Sequence, residues 1–466
     1  MSQGPIRKTH FVGIGGTGMC GLAEILLSLG YEVSGSDLAT GTEATERLAR
    51  LGARIAAGHA AENARGKDLL VVSSAIREEN PEVREARRLG IPVIKRGEML
   101  AEIMRLKYGV AVAGAHGKTT TTSLIGHVLS SAGLDPTVIV GGRLRSIGSN
   151  ARMGSGDVLV AEADESDGSF LSLLPTVAVV TNIDREHLDH YRDLAEIREA
   201  FLRFIHGVPF YGVAVLCADD PNLREMIPRV NKPVLTYGTG DGARVRAIAT
   251  APAPDGSRFT VHADGRDLGE FLLPLPGAHN VLNALACIGV ARFLGVPTEA
   301  IRRGLASFEG VGRRFEKRGE AAGVVHIDDY GHHPTEIAAV LRTAREVFAG
   351  RRLVVLFQPH RYTRTAALRR EFGPAFRDAD TLVLTEIYAA GETPIEGVSG
   401  AALAESITAA GTRVLFAPDE AEAIARAVAE LRPGDVLLTL GAGSIWKWGD
   451  AVMQQLRGRR APVRAG

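Results

Sequence analysis

The chain has 466 residues, 45% apolar and 23% charged, with 54 basic and 54 acidic side chains and a pI near 7.3. This length suits roughly three globular domains, and the balanced charge excludes the basic stripe of a nucleic-acid binder or of a protein resting on an anionic membrane. Cys20, Cys217 and Cys287 are far apart among apolar neighbours, the N-terminus lacks the apolar stretch of a signal peptide, and no apolar run reaches the ~18 residues of a membrane span, so a cytoplasmic protein is expected, as a monomer or weak homodimer.

The first third opens with a strand, HFVGI, that runs into Gly13, Gly15, Gly16 and Gly18. A helix follows, with Leu22, Ile25, Leu26 and Leu29 at helical spacing. A second strand, YEVSGS, ends at Asp37, an acid placed to meet a ribose or a base. This βαβ fingerprint predicts a pyrophosphate at the helix N-terminus and leaves the nucleoside open. Short strands RIAAG, DLLVVSSAI and PVIKR alternate with helical stretches. Ser73 and Ser74 follow the strand DLLVV at its carboxyl end, where ligands of open α/β sheets sit, and His59 lies in the turn GHAAEN. The helix around EMLAEIMRLKYG closes this Rossmann-like domain, expected over 1–107.

The stretch GAHGKTTTT opens the central domain, expected over 108–316. An apolar strand leads in and an amphipathic helix leads out. The glycines, Gly114 and Gly117, let backbone N–H groups close on phosphate oxygens without a Cβ in the way, in a loop that runs through Ala115 and His116 to Lys118, Thr119 and Thr120. Lys118 adds a positive charge, and the Thr119 hydroxyl can hold Mg²⁺. Val112 stands where the strict P-loop pattern has glycine, so this is a shorter variant. The strand DVLVAEAD then ends in Glu162, Asp164, Glu165 and Asp167, carboxylates whose mutual repulsion makes most sense beside a cation. The next strand, TVAVVTNID, leads to Asn182, Asp184, Glu186, His187, Asp189 and His190, and is expected to neighbour the acidic strand. His187 there can complete a metal shell or contact a phosphate. A small antiparallel patch, RVRAIATAP–SRFTVHADG–LGEFLL, interrupts an otherwise parallel sheet. His279, Asn280 and Asn283 open a long helix; Asn280 is either a helix cap or a reader of adenine or ribose. Arg313 and Arg314 precede the next domain and can clamp an anion bidentately.

The last third, 317–466, alternates strands VVHIDD, LVVLFQ, TLVLTEI, RVLFAP and DVLLTLGAG with helices, a second doubly wound sheet. Two strand-to-helix corners are unusually polar: Asp329-Tyr330-Gly331-His332-His333 and Pro359-His360-Arg361-Tyr362-Thr363-Arg364. They sit on successive strands and should share a crevice, an anion site sized for an amino-acid carboxylate. An ATP·Mg site between two further ligand sites suits ATP-driven joining of a carboxylate to an amine. An NAD-dependent oxidoreductase on Gly13–Gly18 has no use for Lys118 or the acidic cluster.

The motifs GIGGTGM, GAHGKTTTT, AEADESD, PGAHNVLNA, GRRFE, DDYGHHP and FQPHRYTRT occur in this order, and with them the chain resembles the Mur ligases over its whole length. The resemblance implies addition of L-alanine to the carboxylate of UDP-N-acetylmuramate through an acyl phosphate, giving ADP and phosphate, in peptidoglycan precursor synthesis. It places the UDP-sugar on Gly13, Gly15, Gly16, Gly18, Asp37, His59, Ser73 and Ser74. It assigns Gly114–Thr120, His279, Asn280, Asn283 and Arg314 to ATP. It assigns Thr119 and Glu162 to one magnesium and His187 to a second. It sets Tyr330, His332, Arg361 and Arg364 around the amino acid, and makes Lys118, His187, Arg314, His332, Arg361 and Arg364 the catalytic set. Two departures stand out. Ala115 occupies a place where the family usually has threonine, and no lysine lies between Asp184 and His206 to supply the carbamylated lysine of several relatives. A ligase that adds a preformed peptide, or glycine or serine, to the same nucleotide sugar is the alternative.

Overall fold

The computed structural model describes residues 6–73, 75–144, 149–187, 190–253 and 255–458. The strands of the first domain are β1 (Lys8–Val12), β2 (Glu32–Asp37), β3 (Arg54–Ala57), β4 (Leu69–Val72) and β5 (Val93–Lys95), all parallel in the order β3-β2-β1-β4-β5. The order reverses between β1 and β4, so a crevice opens beyond their carboxyl ends. β1 stops at Val12, short of the expected HFVGI, because Gly13 turns the chain at φ +82°.

The second sheet holds β6 (Tyr108–Ala113), β7 (Thr137–Leu144), β8 (Ser149–Arg152), β9 (Val158–Glu162), β10 (Val177–Val180), β11 (Val213–Cys217), β12 (Val234–Gly238), β13 (Val245–Ala253), β14 (Gly256–Ala263) and β15 (Arg266–Leu273). Their order is β15-β14-β13-β12-β11-β10-β6-β9-β7-β8. β6, β9, β10 and β11 are apolar and buried on both faces, as a covered parallel sheet requires. β13–β15 form the expected antiparallel patch, and β7–β8 is a second antiparallel pair the sequence did not announce. One expectation is corrected here. β10 does not neighbour acidic β9; β6 lies between them and pairs with both. The phosphate loop is therefore flanked by the two acidic strand ends instead of standing beside one.

The third sheet contains β16 (Glu316–Ala321), β17 (Val324–Asp329), β18 (Leu353–Phe357), β19 (Thr381–Thr385), β20 (Val414–Ala417) and β21 (Val436–Leu440), in the order β16-β17-β21-β18-β19-β20. Only β16 is antiparallel, and it starts at Glu316, the last residue of the expected central domain. β17 and β18 are successive in sequence but β21 separates them in the sheet. Their corners still converge, since the His332 and His360 rings lie 5.8 Å apart. Apolar clusters on both faces of this sheet confirm the doubly wound arrangement. The first two sheets share one continuous core, whereas the third has its own. No helix among the described residues is long and apolar enough to cross a membrane.

Candidate functional site

The phosphate loop is built so tightly that two of its residues must be glycine. Gly114 has φ +135°, and a Cβ there would stand 2.1 Å from Thr181 Oγ1. Gly117 has φ +82°, and its Cβ would stand 2.7 Å from Asn283 Oδ1. The loop is braced by the end of β10: His116 N–H donates to Asn182 Oδ1 (2.8 Å), while Asn182 Nδ2 (2.9 Å) and Thr181 Oγ1 (2.6 Å) donate to the His116 carbonyl. The Ala115 N–H donates to the Asn182 carbonyl at 3.2 Å. The helix Lys118–Ser131 starts at this point, so its free N–H groups and dipole face whatever the loop holds.

Lys118 Nζ donates to the Gly114 carbonyl (2.6 Å) and to Glu165 Oε1 (2.8 Å). Burial lowers its pKa, but Glu165, Glu162 and Asp164 raise it further, so it stays an ammonium. Thr119 Oγ1 donates to Glu162 at 3.0 Å, and Glu162 also accepts the Gly141 N–H (2.7 Å). On the other flank, Glu165, Glu186 and His187 bring one donor atom each to within 4.8 Å of one another. Glu165 Oε2 is buried and finds no hydrogen-bond partner among the described residues. Thr119 with Glu162, and Glu165 with Glu186 and His187, thus form two oxygen-rich donor sets on either side of Lys118. Hard divalent cations favour such sets, and an unsatisfied buried carboxylate oxygen fits one of them.

Beside the loop, a cavity of about 370 Å³ is lined by His116, Tyr237, His279, Asn280, Asn283 and Arg314, among others. Gly277, not Asn280, is the N-cap of the helix Ala278–Phe293, so the capping alternative for Asn280 fails. Asn280 Nδ2 instead donates to the Pro276 carbonyl (2.8 Å) and its Oδ1 accepts from Asn283 Nδ2 (3.2 Å). His279 is held neutral, its pKa pushed down to about 4 by burial and by Arg314. The two arginines of GRRFE part company. Arg313 is spent on structure, donating to Asp328 (3.1 Å) and to the Gly443 carbonyl (3.0 Å). Arg314 reaches the cavity, 3.8 Å from Glu336.

A second cavity, of about 470 Å³, opens where the central and C-terminal domains meet, lined by Arg185, Glu186, His187, Arg361, Thr363 and Arg364. Arg364 Nη2 donates to Glu186 Oε1 at 3.1 Å, and His332 Nε2 is 3.9 Å away. Burial opposes the Glu186 charge, but Arg364, His116 and His332 hold its pKa down to about 2. Burial also pushes His332 to about 4, a neutral imidazole. Tyr330 lies beneath Arg313 and Arg314, its ring centre 5.1 and 5.2 Å from their guanidiniums, and does not line this second cavity.

In the first domain, Gly15 N–H donates to Asp37 (2.9 Å), Gly13 packs on Ser73, and Gly18 packs on Arg96. His59 pairs with Ser36 (2.9 Å) and with the buried Glu82 (3.3 Å). Ser74 and Asp189 lie outside the described residues. Sequence reasoning missed Glu336, which accepts the His332 and His333 N–H groups and faces His116 and Arg314. Its signal was the spacing H-P-T-E, a reciprocal cap with the acid three residues past the N-cap. Arg96, which pairs with Asp164 across the first two domains, carried no such signal.

Three family models match the chain in sequence: "Mur ligase family, catalytic domain" over 8–108, "Mur ligase middle domain" over 112–291 and "Mur ligase, glutamate ligase domain" over 313–443. A UDP-N-acetylmuramate–L-alanine ligase of Pelobacter propionicus is 54% identical over 97% of this chain and 99% of its own length. One from Geobacter sp. strain M21 is 55% identical over 97% and 98%. The crystal structure of a UDP-N-acetylmuramate–alanine ligase, MurC, from Thermotoga maritima superposes with a TM-score of 0.80 at 32% identity, over 97% of this chain and 99% of that one. With a braced phosphate loop, acidic strand ends beside it and these matches along nearly all of its length, the chain belongs to the Mur ligase family.

Proposed function

We propose that this protein joins L-alanine to the carboxylate of UDP-N-acetylmuramate at the expense of ATP, forming ADP and phosphate, as a step of peptidoglycan precursor synthesis in the cytoplasm. The observation that carries the reading is that one short segment after β10 serves two cavities: Asn182–Asp184 line a nucleotide-sized one with His116 and Gly117 of the phosphate loop, and Arg185–His187 line an arginine-rich one with Arg361 and Arg364. Relatives that share more than half of the sequence and bear the name of that ligase support the choice of substrates.

Lys118 and the free N–H groups at the start of the helix Lys118–Ser131 would hold the ATP phosphates, with Arg314 set to balance charge on the terminal one. The muramyl carboxylate attacks that phosphorus, ADP leaves, and an acyl phosphate results. The alanine amine then attacks the acyl carbon and phosphate departs. Mg²⁺, held by Thr119 with Glu162 and by Glu165 with His187, would supply charge neutralisation at the phosphates. Arg361 and Arg364 suit the alanine carboxylate as bidentate donors. Neutral His332 stands beside them without adding a charge.

ADP formation is expected only when UDP-N-acetylmuramate and L-alanine are both present. Equal rates without the sugar nucleotide would overturn the proposal. A panel of amino acids and short peptides separates it from a peptide-adding ligase, a reading kept in view because a murein peptide ligase has the same fold (TM-score 0.71, 24% identity).

A further inference from the structure

Between the phosphate loop and the first turn of the helix Pro334–Val347 lies another group of metal-ligating side chains, distinct from the Glu162 and Glu165 sets. His116 Nε2 is 2.9 Å from Asp184 Oδ2, and His333 Nδ1 is 3.6 Å from the same oxygen. One donor atom from each of the three residues lies within 4.8 Å of the others. A tetrahedral ion with bonds near 2.1 Å holds its ligands about 3.4 Å apart, close to this spacing. Glu336 Oε1 stands 3.3 Å from Nδ1 of His116, the ring nitrogen the cluster leaves over. A carboxylate behind a ligating imidazole is the arrangement that orients such rings at metal sites. Thr335 Oγ1, 2.7 Å from Asp184 Oδ2, is within reach as a further oxygen.

Without an ion the facing atoms pair with one another and with Thr335: His116 Nε2 with Asp184, and His333 Nδ1 accepting the Thr335 N–H at 3.3 Å, a contact that metal binding would replace. The outward nitrogens, Nε2 of His333 and Nδ1 of His116, have no aligned hydrogen-bond partner among the described residues. Two imidazoles and one carboxylate favour zinc, cobalt or nickel over magnesium, which takes oxygen. Glu186 and Glu336 face the cluster in addition to its own Asp184, so a dication meets negative charge there.

We infer that His116, Asp184 and His333 form a transition-metal site, best suited to Zn²⁺, that ties the central domain to the C-terminal domain. Two ligands belong to one domain and one to the other, so the ion clamps the closed arrangement. His116 also lines the nucleotide cavity, so zinc held there inhibits nucleotide exchange and slows turnover. The inference does not depend on which amino acid the enzyme uses.

The test uses the full-length protein in millimolar Mg²⁺, which fills the oxygen sites. Zn²⁺ is titrated against a chromophoric chelator, and Co²⁺ binding is followed by its visible absorption. Wild type should bind one Zn²⁺, give tetrahedral cobalt bands and melt at a higher temperature with zinc. His333→Asn, which keeps a polar atom for the Thr335 N–H, and Asp184→Asn should each weaken zinc at least about tenfold, and Glu336→Gln about tenfold. His187→Asn should leave zinc affinity unchanged. No zinc-dependent rise in the wild-type melting temperature overturns the site without recourse to any variant. So does a loss of affinity in His187→Asn, or affinities of the first two variants equal to wild type.

Discussion

Lys118 makes every contact a phosphate loop lysine can make without a phosphate: two loop carbonyls within 3.2 Å and one buried carboxylate. A triphosphate would therefore exchange one set of oxygens for another, and the ammonium would arrive already placed. Preorganised charge of this kind is worth about 10²-fold or more in rate. Lys118→Ala should lose that much ADP formation in a steady-state assay while its circular dichroism stays that of the parent. Turnover near wild type would take the loop out of the mechanism. Lys118, Thr119 and Gly117 were legible because their chemistry is local, a few residues of one spacing. Glu336 and Asp184 were not legible as partners of His116. The contact between Thr335 and Asp184 spans 151 residues, and no local pattern encodes it.

At the scale of single elements, apolar runs such as β11 and β18 could be read directly, since a strand covered on both faces must be apolar throughout. β8 (SNAR) and β16 (EKRGEA) could not, because an edge strand pairs on one side only and tolerates polar residues. The helix Pro81–Arg88 shows a different kind of hidden dependence. Asn80 caps it and Pro81 starts it, both visible in sequence. What pins it to the first sheet is Glu82, fully buried, accepting from Ser36 Oγ (2.7 Å) and Asn63 Nδ2 (2.5 Å), with His10 at 3.7 Å. Burial pushes the Glu82 pKa up, but His10, Ser36 and Asn63 pull it further down, to about 2. A folded-state pKa below the unfolded one means stability that is present above the ordinary 4.5 and lost as pH falls toward about 2. Glu82→Gln should melt lower than wild type at neutral pH, and the gap should shrink between pH 4.5 and 2. Melting curves that stay parallel through that window would exclude Glu82 as the anchor.

For the whole molecule, the distribution of cores decides what can move. The first two sheets share one apolar core, while the third sheet is packed within itself and meets the central domain mainly through polar contacts. Those contacts are unequal. Arg185–Glu371 is about half exposed on each side and contributes little, as exposed pairs do, at roughly 0–1 kcal/mol. Arg364–Glu186 is about nine-tenths buried on both sides, and Thr335–Asp184 is a short hydrogen bond to a charged group, so these two should carry the closed state. The chain between the domains has a ready pivot, with Gly310, Arg313 and Phe315 all at positive φ within six residues. A compact body of this length has a radius of gyration of about 23 Å. Thr335→Val combined with Arg364→Gln should raise the value measured by X-ray scattering above that of wild type, and Arg185→Ala should leave it unchanged. Saturating ATP·Mg should return the double variant toward the wild-type profile, because a nucleotide in the cavity beside the phosphate loop would meet His116 and Gly117 of the central domain and Glu336 and Ala339 of the C-terminal domain. If the double variant scatters like wild type without nucleotide, closure is held by something other than these two contacts. If Arg185→Ala opens the molecule, the ranking by burial is wrong.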